Sequence, residues 1–484
     1  MSLNRLWKRK VGLGILVLQV VVSVVLMTIL VKLNALPMGV TVGIGVGVFA
    51  LFVLMVLGQW GKGNFHYPGK VISVFLSILM VLGAFAVYQV EDAIQSLSNE
   101  NIKMEEVSVV VLSSNKAETV SEMADQTFGI ISNQFRAKTD ETIKLINAEL
   151  DTTIDTAEFE EWNVLIEALY SGEVKVVIMN EGLRSLIHEA FPTFDSDTKV
   201  LEKYEHETEM GNNNVVDDVT EAPFSVYLSG IDTYGSIKKN SRSDVNIIAT
   251  INPKTKQVLL TATPRDYYVP TSVSNGMEDK LTHAGLYGVD CSRETLEMLY
   301  DIEINYYAKV NFSGFIKVID ALGGVTVHSD YRFTGEEGHR FVKGDNEVNG
   351  EEALDFVRER HSFASGDLQR NKNQQYLIKA LIEKMASPAI LQGFNEVLNS
   401  VSDCVITNLE SSDITSLIQM QISDGSSWNV LINGVSGEGG KRTTYSNQKA
   451  KGYVMYVDEE QVTKATQLIR DVIDGKILTQ DDIE

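Results

Sequence analysis

Hydrophobic residues run almost unbroken three times near the start of the chain, at roughly 11–33, 38–58 and 71–90. Each run is long enough to cross about 30 Å of hydrocarbon as a helix, so the pattern predicts three membrane spans. A cleaved signal peptide needs one short apolar core and a small-residue cleavage site, and two further spans behind the first argue against it. Beyond residue 91 the pattern becomes short strand-like runs between amphipathic stretches. "VSVVVLSS" at 107–114 and "VKVVIMN" at 174–180 read as buried strands, with helical patterns at 118–134 and 158–170 between them. "FSVYLSGID" (224–232), "SDVNIIATIN" (243–252) and "QVLLTATPRD" (257–266) read as three more strands, the last two joined by a turn short enough for a hairpin.

About 390 residues follow the spans, too many for one ordinary domain. "HETEMGNNNVVDDVTEAP" at 206–223 is polar, acidic and poor in periodic apolar residues, and reads as a linker. The expected organisation is a basic tail with three transmembrane helices at 1–92, a small α/β accessory domain at 93–215, and a catalytic domain at 216–484. The expected fold class is α/β (α+β) external domains on an all-α anchor, the catalytic domain being a mixed β-sheet flanked by helices.

Charge sharpens this division. Residues 1–90 hold 7 of the 42 basic residues and none of the 65 acidic ones, so the remainder carries −30. A region that acidic is a poor general nucleic-acid binder, and no nucleic-acid partner is expected. By the positive-inside rule the tail before residue 11 and the loop at 61–70 are cytoplasmic, and everything after about 91 is outside. Gly39, Gly43 and Gly47 recur every fourth residue, a spacing that suits close helix packing. Cys291 and Cys404 allow at most one disulfide, and their pairing is not readable from sequence.

Four stretches, "SGIDTYG" (229–235), "SRSDVNI" (241–247), "TPRDYYVP" (263–270) and "RER…GDLQRNKNQQ" (358–375), gather aspartates and arginines without an obvious nucleophile. Such a set suits a metal-bound pyrophosphate, held by guanidinium forks and by a hard cation on carboxylate oxygens. If the three strands form an antiparallel meander, Asp232, Arg242, Asp244 and Arg265 fall on one edge, with Arg242 and Asp244 on the same face. "NGEEALDFV" (349–357) reads as a short helix, followed by an extended segment that sets Arg358 and Arg360 side by side. Asp367 is expected to cap a helix from Leu368 to about Met385, with Arg370 and Gln374 one turn apart. Arginine at the positive end of a helix is unfavourable unless an anion is near. Taken singly these residues also fit turn caps or solvated charge runs. His283 in "DKLTHAGLYG" is expected to be structural, Lys280 either to touch phosphate or to be solvated, and "NFSGFIKVIDALGG" (311–324) to be core.

The ordered set "SGIDTYG", "SRSDVN", "TPRD", "DKLTHAG", "ALDFVRER" and "GDLQRNKNQQ", spanning about 224–386, resembles the LytR-CpsA-Psr family. The three spans and intervening domain resemble its capsular-polysaccharide members. The resemblance implies a transferase moving a glycopolymer from a polyprenyl (undecaprenyl) pyrophosphate carrier to peptidoglycan in cell wall assembly, with pyrophosphate cleavage as a side reaction. It implies Asp232 and Asp244 as carboxylates for Mg2+, or Mn2+ in its place, and Arg242, Arg265, Arg358, Arg360, Arg370 and Gln374 as pyrophosphate ligands; Asp232, Asp244 and Arg265 form the implied catalytic set. Implied partners are the lipid-linked polysaccharide, peptidoglycan, membrane lipid and membrane proteins of capsule synthesis, on the outer face of a Gram-positive-type cell membrane. Many family members have a second arginine where this chain has Lys372, which leaves bidentate binding there in doubt. A noncatalytic regulator of capsule synthesis has no need of the arginine set. A transcriptional attenuator would need a basic recognition segment, and none is present.

Overall fold

The computed structural model describes residues 3–60, 66–98, 102–209, 215–231, 237–238, 240–387 and 405–483. Helices Leu3–Leu33, Met38–Trp60 and His66–Ser98 contain three segments long and apolar enough to cross a membrane, Lys10–Leu33, Met38–Leu57 and Lys70–Gln95. They pack through Leu26, Leu30, Met80 and Ala84, with Lys32 Nζ 2.5 Å from Glu91 Oε1. The Gly39, Gly43 and Gly47 face packs on neither neighbouring helix. A β-carbon at any of the three would meet nothing within 4 Å, whereas one at Gly45 would lie 3.3 Å from Met27 Cε.

The first unit beyond the apolar helices is a five-stranded mixed sheet ordered Thr156–Phe159, Phe128–Ile131, Val176–Asn180, Ile102–Leu112, Thr198–Glu209. Alternate residues of its inner strands serve opposite faces. Val107, Val109, Phe128 and Ile178 pack with Ile146 of helix Arg136–Leu150, while Val110, Ile131, Val177 and Met179 pack with Leu165 and Ile166 of helix Trp162–Ser171. The helix expected over 118–134 is absent: that stretch holds a 3-10 turn at Val120–Met123 and the strand Phe128–Ile131. "FGII" is wholly buried between helices on both faces, and that packing decides for strand. The linker expected to begin at 206 begins later, because His206 to Glu209 pair with Glu105 to Ile102.

The second unit is built on a six-stranded sheet ordered Val405–Thr407, Tyr306–Asn311, Phe224–Ile231, Ser243–Asn252, Gln257–Ala262, Asn429–Gly434. Its middle three strands form an antiparallel meander, and parallel strands flank it. On one face Tyr227, Ile248, Leu259 and Leu431 meet helices Val289–Tyr300 and Glu459–Ile473. On the other, Val226, Ala249 and Leu260 lie toward helix Asp367–Met385. Residues beyond 405 thus complete the sheet and cover one of its faces.

Candidate active site

The meander brings Asp244, at the start of its second strand, beside Arg265, just beyond the end of its third. Arg265 Nη1 donates to Asp244 Oδ2 at 2.8 Å, and Thr282 Oγ1 donates to Asp244 Oδ1 at 3.3 Å. Arg265 Nε lies 3.8 Å from Asp266 Oδ2 and 4.0 Å from Asp367 Oδ1, and has no hydrogen-bond acceptor among the described residues. Burial opposes the Arg265 charge, but Asp244, Asp266 and Asp367 more than offset it and raise its pKa.

Helix Gly350–Arg358 opens with a capping box between Asn349 and Glu352, and ends as Glu359 turns extended. Arg358 and Arg360 therefore flank the buried Glu359 at the site's mouth. The Arg358 guanidinium lies 4.7 Å from the Phe312 ring centroid, and no carboxylate among the described residues pairs with either arginine. Asp367 is not the expected cap. Gly366, with a left-handed φ of 53°, occupies that position, and Asp367 is the first helical residue, ion-paired with Arg370. Burial lowers the Arg370 pKa, aided by Arg265 and Arg360, and raises that of Asp367 despite Arg370 and Arg265. Asp367 Oδ1 meets Arg370 Nη2, so the buried pair is in direct contact, and Asp367 Oδ2 is left without a hydrogen-bond donor among the described residues. A buried ion pair whose titration is shifted on both sides is a functional-site candidate.

These groups rim one end of a cavity of about 510 Å³. Asp244, Arg265, Arg358, Arg360, Arg370 and Gln374 all line it. Arg242 does not: its Nη1 is 3.0 Å from Glu189 Oε2 of the first unit. Asp232 and Cys404 lie outside the described residues, and Cys291 is buried. Lys280 meets Asp266, 3.1 Å away, and Lys372 meets Asp330, so neither points into the cavity.

Spacing alone did not reveal the cavity walls. Phe312, Phe315 and Val318, expected as core, line it together with Leu377, Ile378, Leu381 and Ile382 of the long helix and with Leu228, Ala308 and Val310 of the sheet. At about 1.5 Å per residue the helix carries the lining from Arg370 to Met385 over about 22 Å. Val405 lines the cavity too and also packs with Ala93 and Ile94 of the third apolar helix.

The chamber is apolar along its walls, and guanidinium groups stand at its rim. The chain belongs to the LytR_cpsA_psr family, whose sequence profile matches residues 191–470. It is 39% identical over 203 residues to the polyisoprenyl-teichoic acid–peptidoglycan teichoic acid transferase TagU of Bacillus cereus (strain AH820), covering 42% of this chain and 66% of that protein, slightly under two thirds of its length. The Enterococcus faecalis V583 protein of the same name is 30% identical over 282 residues, 58% of this chain and 89% of its own. A crystal structure of B. subtilis TagV matches with a TM-score of 0.45 and 28% identity, over 52% of this chain and 98% of that one.

Proposed function

We propose that this chain transfers a glycopolymer from a polyprenyl pyrophosphate to peptidoglycan outside the membrane, and that the polymer is capsular. The observation that carries this reading is the continuity of an apolar chamber with a mouth of four arginines, Arg265, Arg358, Arg360 and Arg370. The relatives above are named for teichoic acid, so the capsular polymer is the finer part of the proposal.

The prenyl chain occupies the chamber, entering by way of Met385 and Val405, where the third apolar helix meets this unit. Arg358 and Arg360 are free to bind the pyrophosphate, while Arg265 and Arg370 exchange part of their carboxylate contact for phosphate oxygens. Gln374 Nε2, now 3.4 Å from the Val357 carbonyl, adds a donor. A sugar hydroxyl of peptidoglycan attacks the phosphorus that bears the glycan. A new P–O bond forms, the bridging P–O bond breaks, and prenyl phosphate departs. Asp244 or Asp232 takes the hydroxyl proton. Positioning and charge stabilisation suffice for such a step without a covalent nucleophile. Water in place of the hydroxyl gives pyrophosphate cleavage as a side reaction.

Asp244 offers a divalent cation hard carboxylate oxygen at the mouth. Asp244 with Asp232 would hold magnesium or manganese, whose charge when bound neutralises phosphate oxygens.

The test combines the full chain in lipid, lipid-linked polymer and peptidoglycan. Polymer on peptidoglycan with equimolar prenyl phosphate is expected, and excess chelator should suppress both. Turnover unaffected by chelator would remove the metal, and no transfer to peptidoglycan would remove the reading. Orientation is checked separately: an alkaline phosphatase fusion after residue 484 should be active and one within 61–70 inactive.

A further inference from the structure

The segment Glu278–Gly288 lies directly behind Asp244 and Arg265. Thr282 N donates to the Arg265 carbonyl at 2.8 Å, Leu281 N to the Tyr267 carbonyl at 2.9 Å, and Thr282 Oγ1 to Asp244 itself. A β-carbon at Gly285 would lie 2.8 Å from Ser243 N, so the segment rests on the start of the strand that carries Asp244.

The segment is pinned by a buried polar network. His283 Nδ1 is 2.6 Å from Asp279 Oδ1, and Asp279 Oδ2 accepts from Ser446 N at 2.9 Å and Ser446 Oγ at 2.5 Å. Burial opposes the Asp279 charge, but His283, Ser446 and the Lys280 amide more than offset it and lower its pKa. Asp279 is thus a satisfied buried carboxylate, an arrangement that fixes geometry more firmly than apolar contact does.

The first unit grips both ends of this network. Trp162 Nε1 donates to the Ser446 carbonyl at 2.6 Å and Gln134 Nε2 to the Tyr445 carbonyl at 3.1 Å. Leu286 is packed in the first unit's own core with Leu183 and Ile187, and Tyr287 stacks on Phe135 at 4.5 Å. A β-carbon at Gly182 would lie 2.8 Å from the Leu286 carbonyl oxygen, so the backbones approach closely.

We infer that the first unit is a positioning part of the active site: through Trp162, Ser446, Asp279 and His283 it holds the segment that aims Asp244 and Arg265. This rests on the reading of Asp244 and Arg265 as the reacting edge. A misplacement of about 1 Å at a reacting centre lowers rate by about 100-fold, while binding by the distant walls and by Arg358 and Arg360 is unaffected. The network therefore acts on kcat rather than on lipid affinity.

The test uses the full chain in detergent, with prenyl pyrophosphate turnover and backbone hydrogen exchange as separate readouts. Ser446→Ala and Asp279→Asn are expected to lower kcat about 10- to 100-fold with KM changed less than about threefold. Ser446→Thr, which keeps the hydroxyl, should recover most of the rate. Trp162→Phe combined with Ser446→Ala should lose little more than the worse single variant, as members of one network do. Exchange should rise at Leu281 and Thr282, whose acceptors are the Tyr267 and Arg265 carbonyls. Unchanged kcat in folded variants, or faster exchange confined to 445–446, overturns the inference. If Arg265→Ala leaves turnover intact, the functional reading fails instead, and the exchange pattern still decides whether the first unit holds the segment.

Discussion

Helices Trp162–Ser171 and Asp367–Met385 each lie on a mixed sheet, and they bury opposite chemistry. The first buries Trp162, Leu165, Ile166, Ala168 and Leu169 around the single polar Asn163. The second buries Gln369, Arg370, Asn371, Asn373, Gln374 and Gln375 before its first buried apolar residue, Leu377. Burying a charge or amide is unfavourable unless it is paired, and a packed core alone never calls for it. In the first unit the apolar faces close on each other, whereas in the second they stand apart around a chamber. The contrast sets a unit with a closed core beside a unit that holds a chamber, although both have the same layered build.

Removing an arginine from each unit tests that contrast with the largest effect. Arg265→Ala should cut transfer roughly 30-fold or more, since losing a charge-assisted contact in a dry site costs about 2–5 kcal/mol. Arg184→Ala removes a comparable ion pair with Glu181 and Asp195 in the first unit and should leave transfer within about threefold. Wild-type activity in purified Arg265→Ala would refute the assignment of the mouth.

Filling the two units with the same added volume comes next. Ala308 lines the chamber, so Ala308→Phe should fold yet displace part of the prenyl chain. At about 0.8 kcal/mol per methylene, two or three displaced groups raise KM for lipid roughly 10- to 50-fold. Ala168 is fully packed, and Ala168→Phe should instead lose about 1–3 kcal/mol of stability. If Ala308→Phe melts earlier with normal KM, the chamber is ordinary core.

The meander and its Asp244–Arg265 edge were legible because period-two patterning and a short turn define which residues share an edge. Arg370 with Gln374 was legible from helical spacing, and Arg358 with Arg360 from the end of a short helix. Arg242 was not, because its partner Glu189 sits in another unit that no local spacing can see. Asp367 was misread because aspartate is a good cap, and only the left-handed turn at Gly366 moves it inside the helix and toward Arg370. The walls escaped for a different reason. Periodicity tells which face is apolar and says nothing about whether the facing residues meet or leave a gap, so Phe312 and Phe315 read as core.

A smaller effect separates the sheet of the second unit by its titration. Burial pushes Lys309, on the parallel strand beside the meander, down to about 8. Between that value and the ordinary lysine pKa of about 10.4, the unfolded chain keeps a proton that the folded chain has lost, so stability rises with pH. The slope is up to about 1.4 kcal/mol per pH unit. Above about pH 10 the buried phenols of Tyr227, Tyr267 and Tyr300, whose pKa values burial raises, reverse the trend because the unfolded chain ionises first. Melting temperature of the full chain against pH should therefore climb from 8 toward 10 and then fall, and Lys309→Met should keep only the fall. A climb that persists in Lys309→Met assigns it to another group.

The smallest expected effect falls on the helix Asp367–Met385 itself, at Lys372. Two residues beyond Arg370, it projects about 200° around the helix, away from the chamber. Its Nζ is 2.9 Å from Asp330 Oδ2 and 5.5 Å from the Tyr376 ring centroid, and Tyr376 Oη donates to the other Asp330 oxygen at 3.0 Å. Burial works against its charge, but Asp330 and Tyr376 more than offset it and raise its pKa. The side chain is 45% exposed, so the pair is worth under about 1 kcal/mol. Lys372→Arg and Lys372→Ala should both turn over within about threefold of wild type, with the alanine variant melting slightly earlier. A tenfold loss of transfer in either would mean that the helix presents a second face to the pyrophosphate, and the boundary between binding and supporting surfaces would have to be redrawn along Asp367–Met385.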